Sequence, residues 1–392
     1  MTSPLRVLQI VNSVALGGPV GGAERLGVTL ARAFDRTAVQ PLLAALWNWE
    51  PALEAFWQRR LTDEGIPTFV GPHKDDQAPL RNFMAAVAML ARTVPGPVDI
   101  IHSQCDFGDV AAILLRNPLH ARAIVRTAHN EREWPKRPLR RLLLVNGLYP
   151  LAFGAELGVS RRAVEVLDRR PLARLLGRRG IVAHNALDLS RFAGPRVAME
   201  AARQRLSLPA RRGPVIGSVG RLTRQKGFEV LLAAAPRVFA RLPNACFVIV
   251  GGGELAEALT AQARTLGIAD RVYFTGVRDD IEAILPGFDL FVSSSLWEGL
   301  PTVILEAMAS EIPVVATRVS GTVELVEDGV TGVLVAPGDP IQLAEAILTS
   351  IARPEVGQAM AARAREYMSA HFDIRTVAQQ HEAIYRRLLM AS

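Results

Sequence analysis

The sequence predicts an α/β protein built from two doubly wound, mostly parallel sheets. Its 392 residues are enough for two domains of ordinary size. Short apolar runs alternate with helix-like stretches, which is typical of parallel sheets with helices on both faces. The alternation pauses near Asn185 and restarts at residue 215. We therefore expect one sheet before the pause and a second sheet after it.

The first half supplies five strand candidates, with helical patterns between them such as residues 23–34 and 83–92. We expect them to form one domain over residues 1–187. The predicted strands of this domain are 5–11, 41–46, 98–102, 123–127 and 155–159.

Residues 188–213 are polar, contain Pro and Arg, and are interpreted as the junction with one short helix. The second domain, residues 188–371, then repeats the strand and helix alternation, and the chain ends in a helical pattern over 371–390. The predicted strands of this domain are 215–219, 246–250, 271–275, 289–292, 313–316 and 332–335.

Composition favours an ordered globular protein of a reducing cytosol. Hydrophobic residues make up 49% of the chain and charged residues 21%, so two cores can be buried. Cys105 and Cys246 are far apart and form neither a disulfide nor a metal pattern, which fits a reducing cytosol. The first predicted strand begins without a basic and apolar leader. No apolar run reaches the ~20 residues that span a bilayer.

Positive charge is concentrated in residues 132–179, where twelve Lys or Arg minus four Asp or Glu leave a net charge of +8. One interpretation is a set of solvated helix faces. The other is a surface at 132–153, with Trp134, five cations and several leucines, that docks on an anionic membrane or holds a lipid-diphosphate acceptor. Nucleic acid is disfavoured because the aromatic residues are not spaced as a stacking platform.

The most informative segment is the polar turn before the helix that Pro301 is expected to open. Pro suits a first helical turn because its missing N–H would have no partner there. The amides of Thr302 and Val303 would then point out of the helix N-terminus, which is an anion site. Glu298 lies in the loop beside that site, and Glu306 lies within the first two turns of the helix. One carboxylate can therefore meet the sugar of a bound ligand, and the other can meet its ribose hydroxyls. The alternative is a surface glutamate and a helix-dipole glutamate.

A second charged loop, from Gly220 to Gly227, follows the predicted strand at 215–219. It places Arg221 and Lys226 at the carboxyl end of a strand, where open α/β sheets bind ligands. Two cations there suit a diphosphate leaving group, although the spacing is not that of a P-loop. The alternative is that Arg221 and Lys226 are two solvated cations. The presence of this loop and the glutamate turn in one domain favours a ligand site.

Together these motifs resemble the retaining glycosyltransferases of family 4, which have the GT-B fold. The resemblance rests on Gly-Arg-x4-Lys-Gly at 220–227 and on the Glu-x7-Glu pair, Glu298 and Glu306. It covers the whole chain and is densest from 215 to 335. Further segments that match the family are 21–25, 184–188, 274–276, 306–309 and 312–317.

The resemblance implies two Rossmann-like domains that face each other across a cleft, the first for the acceptor and the second for the nucleotide-sugar donor. A helix at 372–392 is expected to pack back on the first domain. No cofactor and no metal are expected, because there is no Asp-x-Asp motif or His/Cys cluster. The implied catalytic residues are Glu298, Arg221, Lys226 and His129. The implied donor-binding residues are Gly21, Gly22, Gly220, Arg221, Lys226, Val277, Arg278, Glu298, Gly299, Leu300, Thr302, Val303 and Glu306.

The glycine-rich loop at 17–22 follows the first predicted strand. Glycine lets backbone amides approach a phosphate closely, and the family places Gly21 and Gly22 against the donor diphosphate. A plain surface turn is the alternative, and the extra residues 17–19 could shift the contact. The dinucleotide fingerprint Gly-x-Gly-x-x-Gly is absent, so NAD binding is disfavoured.

His129 follows the predicted strand at 123–127. The resemblance puts it beside the donor sugar, where it could bind a hydroxyl or carry a proton; a loop histidine without a role is the alternative. The family often has an acidic residue next, but this chain has Asn130, which argues against a strong base.

The loop at 276–280 is expected beside the nucleobase. Its backbone at Val277 can read the base edge and Arg278 can stack on the ring. Asp279 and Asp280 are expected to cap the helix that follows.

The acceptor is open: a lipid-linked or membrane-bound glycan, as in bacterial surface polysaccharide or glycolipid synthesis, or a small soluble molecule. UDP and GDP donors both fit. A nucleotide-sugar epimerase of similar shape and a catalytically silent binding protein are alternatives from other classes, and the glutamate pair argues against the latter. Glu311 stands where the family usually has glycine.

Overall fold

The computed structural model describes residues 3–16, 20–74, 77–129, 133–134, 137–192, 198–208 and 213–391. The chain divides into two compact units. The first is Met1–Ala186 together with Ile374–Ser392, and the second is Leu187–Asp373. Each unit contains one parallel sheet, so the predicted α/β class with two doubly wound sheets is confirmed.

The first sheet has seven strands. They are β1 (Leu5–Val11), β2 (Val39–Ala45), β3 (Thr68–Val70), β4 (Ile100–Ser103), β5 (Ala123–Ala128), β6 (Ala155–Gly158) and β7 (Ile181–Val182). Their order is β3-β2-β1-β4-β5-β6-β7, and all neighbours are parallel. The five strands predicted here are present. The edge strands β3 and β7 were not predicted, because three and two residues are too short to show a period.

Among the described residues, eight helices join these strands. They are α1 (Gly22–Ala33), α2 (Pro51–Asp63), α3 (Pro79–Thr93), α4 (Asp106–Leu115), α5 (Pro138–Arg140), α6 (Tyr149–Ala152), α7 (Arg161–Asp168) and α8 (Pro171–Leu175). A π-helical stretch, Arg141–Leu148, connects α5 to α6.

Alternate residues of β1 enter different cores, as expected for a central parallel strand buried on both faces. Leu8 and Ile10 pack in one cluster with Leu90 of α3. Val7 packs in another cluster with Leu30 of α1 and Tyr385 near the end of the chain.

The second sheet has six parallel strands in the order β10-β9-β8-β11-β12-β13. All six predicted strands are present. They are β8 (Val215–Val219), β9 (Cys246–Val250), β10 (Val272–Gly276), β11 (Leu290–Ser293), β12 (Val314–Thr317) and β13 (Val333–Val335).

The helices of this part of the chain are α9 (Met199–Arg205), α10 (Phe228–Arg241), α11 (Ala256–Thr265), α12 (Ile281–Ile284), α13 (Thr302–Ala309), α14 (Pro340–Ala352) and α15 (Pro354–His371). The last helix, α16 (Ile374–Ala391), belongs to the first unit and packs on α1. The predicted start of the last helix at 371 is wrong, because His371 ends α15. None of the helices described has the length and apolar character needed to cross a bilayer.

The strand order reverses direction between β8 and β11 in the second sheet and between β1 and β4 in the first. Ligands of open α/β sheets bind outside the carboxyl ends of the strands at such switch points. The two charged loops predicted from the sequence follow β8 and β11, and His129 follows β5, the neighbour of β4.

Candidate active site

The loops after β8 and β11 are joined by close backbone contacts. Gly227 has φ of +60°, and a Cβ at this position would lie 2.2 Å from the carbonyl oxygen of Ser294. Only glycine fits there. The Ser294 hydroxyl donates to the carbonyl of Lys226 over 3.0 Å, and the amide of Leu296 donates to the carbonyl of Gln225 over 2.8 Å. The two charged loops are therefore held as one surface.

An ion pair lies at the centre of this surface. The Lys226 ammonium donates to Glu298 Oε1 over 2.5 Å. Ser295 donates to the same oxygen over 2.7 Å, and Gln225 Nε2 donates to Oε2 over 3.2 Å. Glu298 is only 6% exposed. Because donors of the protein occupy both of its oxygens, this carboxylate fixes the position of Lys226.

Arg221 lies in the same loop as Lys226 and is exposed. Across the described ranges its guanidinium has no ion-pair partner. The stem of Lys226 passes over Gly220, since a Cβ on Gly220 would be 3.4 Å from its Cγ and Cδ. The loop therefore presents an exposed guanidinium and a partly exposed ammonium group at the carboxyl end of β8, as an anion site requires.

The N-terminus of α13 lies a few residues after Glu298 in the same loop. Pro301 is the N-cap residue, with φ of −75° and ψ of 105°, so its predicted place in the first helical turn is wrong by one residue. Helix α13 begins at Thr302, and the amides of Thr302 and Val303 belong to the turn whose N–H groups lack i−4 partners. Glu306 is buried in the second turn.

Gly299 and Leu300 are buried between Glu298 and α13. The turn is packed tightly, because a Cβ on Gly321 would lie 2.1 Å from the carbonyl oxygen of Gly299.

The predicted nucleobase loop follows β10. Val277 is 64% exposed, and the Arg278 guanidinium donates two hydrogen bonds, of 2.8 and 2.7 Å, to Asp280. Asp280 occupies the N-cap position of α12, but its carboxylate accepts from Arg278, and Asp279 lies one residue before the cap. The predicted capping role of the two aspartates is wrong, and Asp280 instead fixes the guanidinium plane.

In the first unit, the amide of Gly21 donates to Glu24 Oε2 over 2.9 Å, and Asn12 Nδ2 donates to Glu24 Oε1 over 2.8 Å. Gly21 is the N-cap residue of α1 and Gly22 its first residue. Because the Gly21 amide already donates to Glu24, Gly22 is the glycine of the predicted pair whose amide can bind an anion. Residues 17–19 of this loop lie outside the described residues.

His129 lies just beyond β5. Its Nε2 is 3.0 Å from Oε1 of Gln104, and its side chain is partly buried. Burial of the ring, followed by the nearby Arg126 guanidinium, lowers the pKa of His129 to about 3. The ring is therefore neutral at physiological pH. It can exchange hydrogen bonds with a hydroxyl but is not a base. Asn130 lies outside the described residues.

A buried ionic cluster was not predicted. Arg126 is fully buried in β5 and donates to Asp109 over 2.8 Å and to Glu156 over 2.9 Å. It also contacts the Glu133 carboxylate. Arg170 donates to Glu156 as well. The visible signal was an arginine inside an apolar strand-like run, since a buried charge requires partners.

Three carboxylates of this region, Asp106, Asp109 and Glu133, have oxygens within 4.8 Å of one another. Such a group could hold a cation in principle. Here the Arg126 guanidinium contacts both Asp109 and Glu133, so the arginine already supplies positive charge to the cluster.

Comparison with known proteins gives the family. The profile described as "Glycosyl transferases group 1" matches residues 213–353. The α-D-kanosaminyltransferase of Streptomyces kanamyceticus is 30% identical over 301 residues, which cover 74% of this chain and 77% of that protein. A GDP-mannose-dependent α-(1-6)-phosphatidylinositol monomannoside mannosyltransferase of Mycolicibacterium smegmatis is 31% identical over 289 residues, 69% of this chain and 72% of that protein.

The lipopolysaccharide core biosynthesis glycosyltransferase LpsE of Rhizobium meliloti is 36% identical over 184 residues, 47% of this chain. That match spans 53% of LpsE, about half its length. Among solved structures, HepE of Anabaena in complex with UDP and glucose superposes with a TM-score of 0.80 at 24% identity, covering 98% of this chain and 100% of HepE. This similarity confirms the predicted GT-B fold. The chain belongs to the group 1 glycosyltransferases, family 4.

Proposed function

We propose that the chain transfers a hexosyl unit, with retention, from a nucleotide-diphosphate sugar to an acceptor hydroxyl, and that the unit Leu187–Asp373 binds the donor. The observation that supports this most directly is the ion pair of Lys226 and Glu298, in loops that also carry the exposed Arg221 and lead into α13. This arrangement provides fixed positive charge where a leaving diphosphate would accumulate negative charge.

In the proposed reaction the bond between the sugar C1 and the β-phosphate oxygen breaks, and its electron pair goes to that oxygen. A bond forms between C1 and the acceptor oxygen on the same face. The acceptor proton passes to the departing phosphate oxygen. Arg221, Lys226 and the amides of Thr302 and Val303 stabilise the leaving group. Glu298 keeps the ammonium group of Lys226 in place, and metal ions take no part.

We also propose roles for the remaining predicted residues. Arg278, fixed by Asp280, stacks on the base, and the backbone at Val277 reads its edge. Glu306 binds the ribose. Gly22 approaches the diphosphate, and His129 contacts a sugar hydroxyl.

A panel of nucleotide sugars tests the donor assignment. A ligand that binds only the folded state raises the melting temperature. We expect UDP- or GDP-linked hexoses to raise it and to release nucleoside diphosphate when an acceptor is added. The free hexose is the matched control and should have no effect. The absence of any shift with every nucleotide sugar, together with no diphosphate release, would refute the proposal.

We further propose that the acceptor is lipid-linked and that the enzyme acts at the inner face of the plasma membrane, in the synthesis of a glycolipid or surface polysaccharide. LpsE is a glycosyltransferase of lipopolysaccharide core biosynthesis, and the Mycolicibacterium smegmatis relative is a phosphatidylinositol monomannoside mannosyltransferase. The supporting surface in this chain is the segment 137–151, where Leu139, Leu142 and Leu143 are 67%, 59% and 60% exposed.

Exposed arginines accompany these leucines. Arg137 and Arg140 are exposed on the same segment. Apolar side chains that stand in water beside cations fit an anionic lipid surface. Arg132 and Lys136, two of the five cations counted in the sequence, lie outside the described residues.

Vesicle flotation tests this surface. We expect the protein to float with anionic vesicles and not with neutral ones. Serine in place of Leu139, Leu142 and Leu143 should abolish flotation. Leu80→Ser is the control, because Leu80 is 71% exposed on α3, outside the segment. Failure of the wild type to float would favour a small soluble acceptor.

A further inference from the structure

A chain of buried polar side chains leads to His129 inside the first unit. Gln9, His102 and Tyr385 are 0% exposed and Gln104 is 1% exposed. They come from β1, β4, the turn after β4 and α16. Polar groups of this kind must be hydrogen-bonded when buried, because an unsatisfied one carries the full cost of its desolvation.

The hydrogen bonds of this chain have a direction. Gln104 Nε2 donates to Gln9 Oε1 over 3.1 Å. Gln9 Nε2 donates to the Tyr385 hydroxyl over 3.1 Å. Because the Tyr385 oxygen accepts there, its hydrogen is directed to His102 Nδ1, which lies 2.7 Å away. His102 Nε2 must then carry the ring proton, which it donates to Thr127 Oγ1 over 2.8 Å.

The direction of these hydrogen bonds also fixes the tautomer of His129, at the other end of the hydrogen-bond chain. The Gln104 amide nitrogen donates to Gln9 over 3.1 Å and lies farther, at 3.5 and 3.4 Å, from Nδ1 and Nε2 of His102, so its oxygen faces His129 Nε2 at 3.0 Å. An amide oxygen only accepts, and therefore His129 carries its proton on Nε2. Within the described part of the chain, Nδ1 of His129 has no hydrogen-bond partner. That nitrogen is an acceptor on a partly buried ring.

We propose that Tyr385, Gln9 and Gln104 are positioning residues that hold His129 as the Nε2-protonated tautomer, so that its Nδ1 accepts a hydrogen bond from a substrate hydroxyl. This inference rests on the proposed contact between His129 and the substrate. It gives α16 a role beyond packing, since Tyr385 links the last helix of the chain to the strand ends of the first sheet.

The protein surroundings keep the histidines in and beside this hydrogen-bond chain uncharged. Burial, followed by His381 and His129, holds the pKa of His102 well below its usual range. The His381 ring lies 5.5 Å from the ring of His102, centroid to centroid, and burial lowers its pKa to about 4. A proton on His102 Nδ1 would turn that nitrogen into a donor and reverse the Tyr385 hydroxyl, so a neutral His102 is the form that preserves the order.

The experiment reads the tautomer directly. The full-length chain is labelled with ¹⁵N-histidine, and long-range ¹H–¹⁵N spectra at neutral pH assign the proton to Nδ1 or Nε2. The His129 signals are those lost in His129→Gln. We expect the Nε2–H form in the wild type and a mixture of both tautomers in Gln104→Leu. Gln58→Leu is the control, since Gln58 donates to a backbone carbonyl elsewhere in the same unit.

Tyr385→Phe tests the far end of the chain. It retains the ring in the core and removes only the hydroxyl, so we expect His102 to lose its single tautomer and His129 to change less. An Nδ1–H form of His129 in the wild type, or an unchanged tautomer in Gln104→Leu, would overturn the proposal.

Kinetics then separate this inference from the proposed function. Gln104→Leu should lower kcat about fivefold, the effect of one lost hydrogen bond, with the KM for the donor unchanged. If His129→Gln leaves turnover intact while the tautomer behaves as expected, the substrate contact of His129 is refuted and the positioning chain is retained.

Discussion

The two units present polar groups at their strand ends in opposite ways. The unit Leu187–Asp373 offers an ion pair, Lys226 with Glu298, next to an exposed arginine. The other unit encloses its charges around Arg126 and extends a neutral hydrogen-bond chain to His129. One arrangement suits the stabilisation of a leaving anion, and the other suits the orientation of neutral hydroxyls. The difference matches the proposed division into donor and acceptor halves.

The largest effect is expected at the buried cluster. Arg126→Met should lower the free energy of unfolding by about 3–5 kcal/mol, because Asp109 and Glu156 would be left buried without their central cation. Urea denaturation followed by tryptophan fluorescence measures this change. Four of the five tryptophans lie in the first unit, at positions 47, 49, 57 and 134.

Arg162→Met is the matched control for that measurement. Arg162 pairs with Glu165 at the surface of the same unit, with side chains 41% and 53% exposed. Such pairs contribute about 0–1 kcal/mol. Equal losses in the two variants would show that the Arg126 cluster does not stabilise the first unit.

The next effect is on catalysis in the other unit. Lys226→Ala and Glu298→Gln should each lower kcat/KM about 10²–10³-fold, as the loss of one transition-state contact does. Since Glu298 acts by holding Lys226, the double variant should be little worse than either single one. Near-normal turnover in either purified variant would remove the assignment.

Two controls accompany these variants. Arg241→Ala removes an exposed cation at the far end of α10, and Glu257→Gln changes an exposed carboxylate on α11. Both should retain wild-type kcat/KM. Circular dichroism of all variants separates a loss of catalysis from a loss of fold.

A smaller effect is expected in the pH dependence of the unfolding free energy, through the neutral ring of His129. The pKa of His129 is lowered from 6.5 to about 3 in the folded state. Between these values the unfolded chain binds a proton that the folded chain does not. The part of the unfolding free energy that depends on a neutral His129 is therefore complete above pH 6.5 and is lost as the pH falls toward 3. His129→Gln should flatten the slope of unfolding free energy against pH, between pH 4 and 6, by up to about 1.4 kcal/mol per pH unit. An unchanged slope would contradict the neutral ring.

The sequence was sufficient for the sheets and for the charged loops. Central parallel strands are apolar throughout, so all the longer strands were predicted within two residues. The loops after β8 and β11 contain a glycine-bounded motif and a glutamate pair whose spacing is local, and the contact between Lys226 and Glu298 follows from the neighbouring strands that carry them.

The polar groups of the first unit could not be predicted in the same way. Gln9 and Tyr385 are 376 positions apart, and single glutamine and tyrosine residues in apolar segments have no local spacing that reveals a partner. The sequence shows Arg126 only as a charged residue inside an apolar strand. Its partners could not be predicted, since they come from α4, β6 and the segment after β5. Asp280 shows a related limit, because N-cap propensity is local whereas its bond to Arg278 depends on side-chain geometry.

The smallest effect is expected in the turn after α13, where Glu311 replaces the glycine usual in the family. Glu311 has φ of +53°, a conformation that costs a residue with a Cβ about 1–2 kcal/mol relative to glycine. Its carboxylate binds Arg365 over 2.9 Å at a partly exposed site, which offsets about 0–1 kcal/mol of that cost. Glu311→Ala retains the strain and removes the ion pair, whereas Glu311→Gly removes both. We expect the alanine variant to be less stable than the glycine variant by about 1 kcal/mol in urea denaturation. Both variants should keep full transferase activity. A glycine variant less stable than the alanine variant would show that the turn does not store strain.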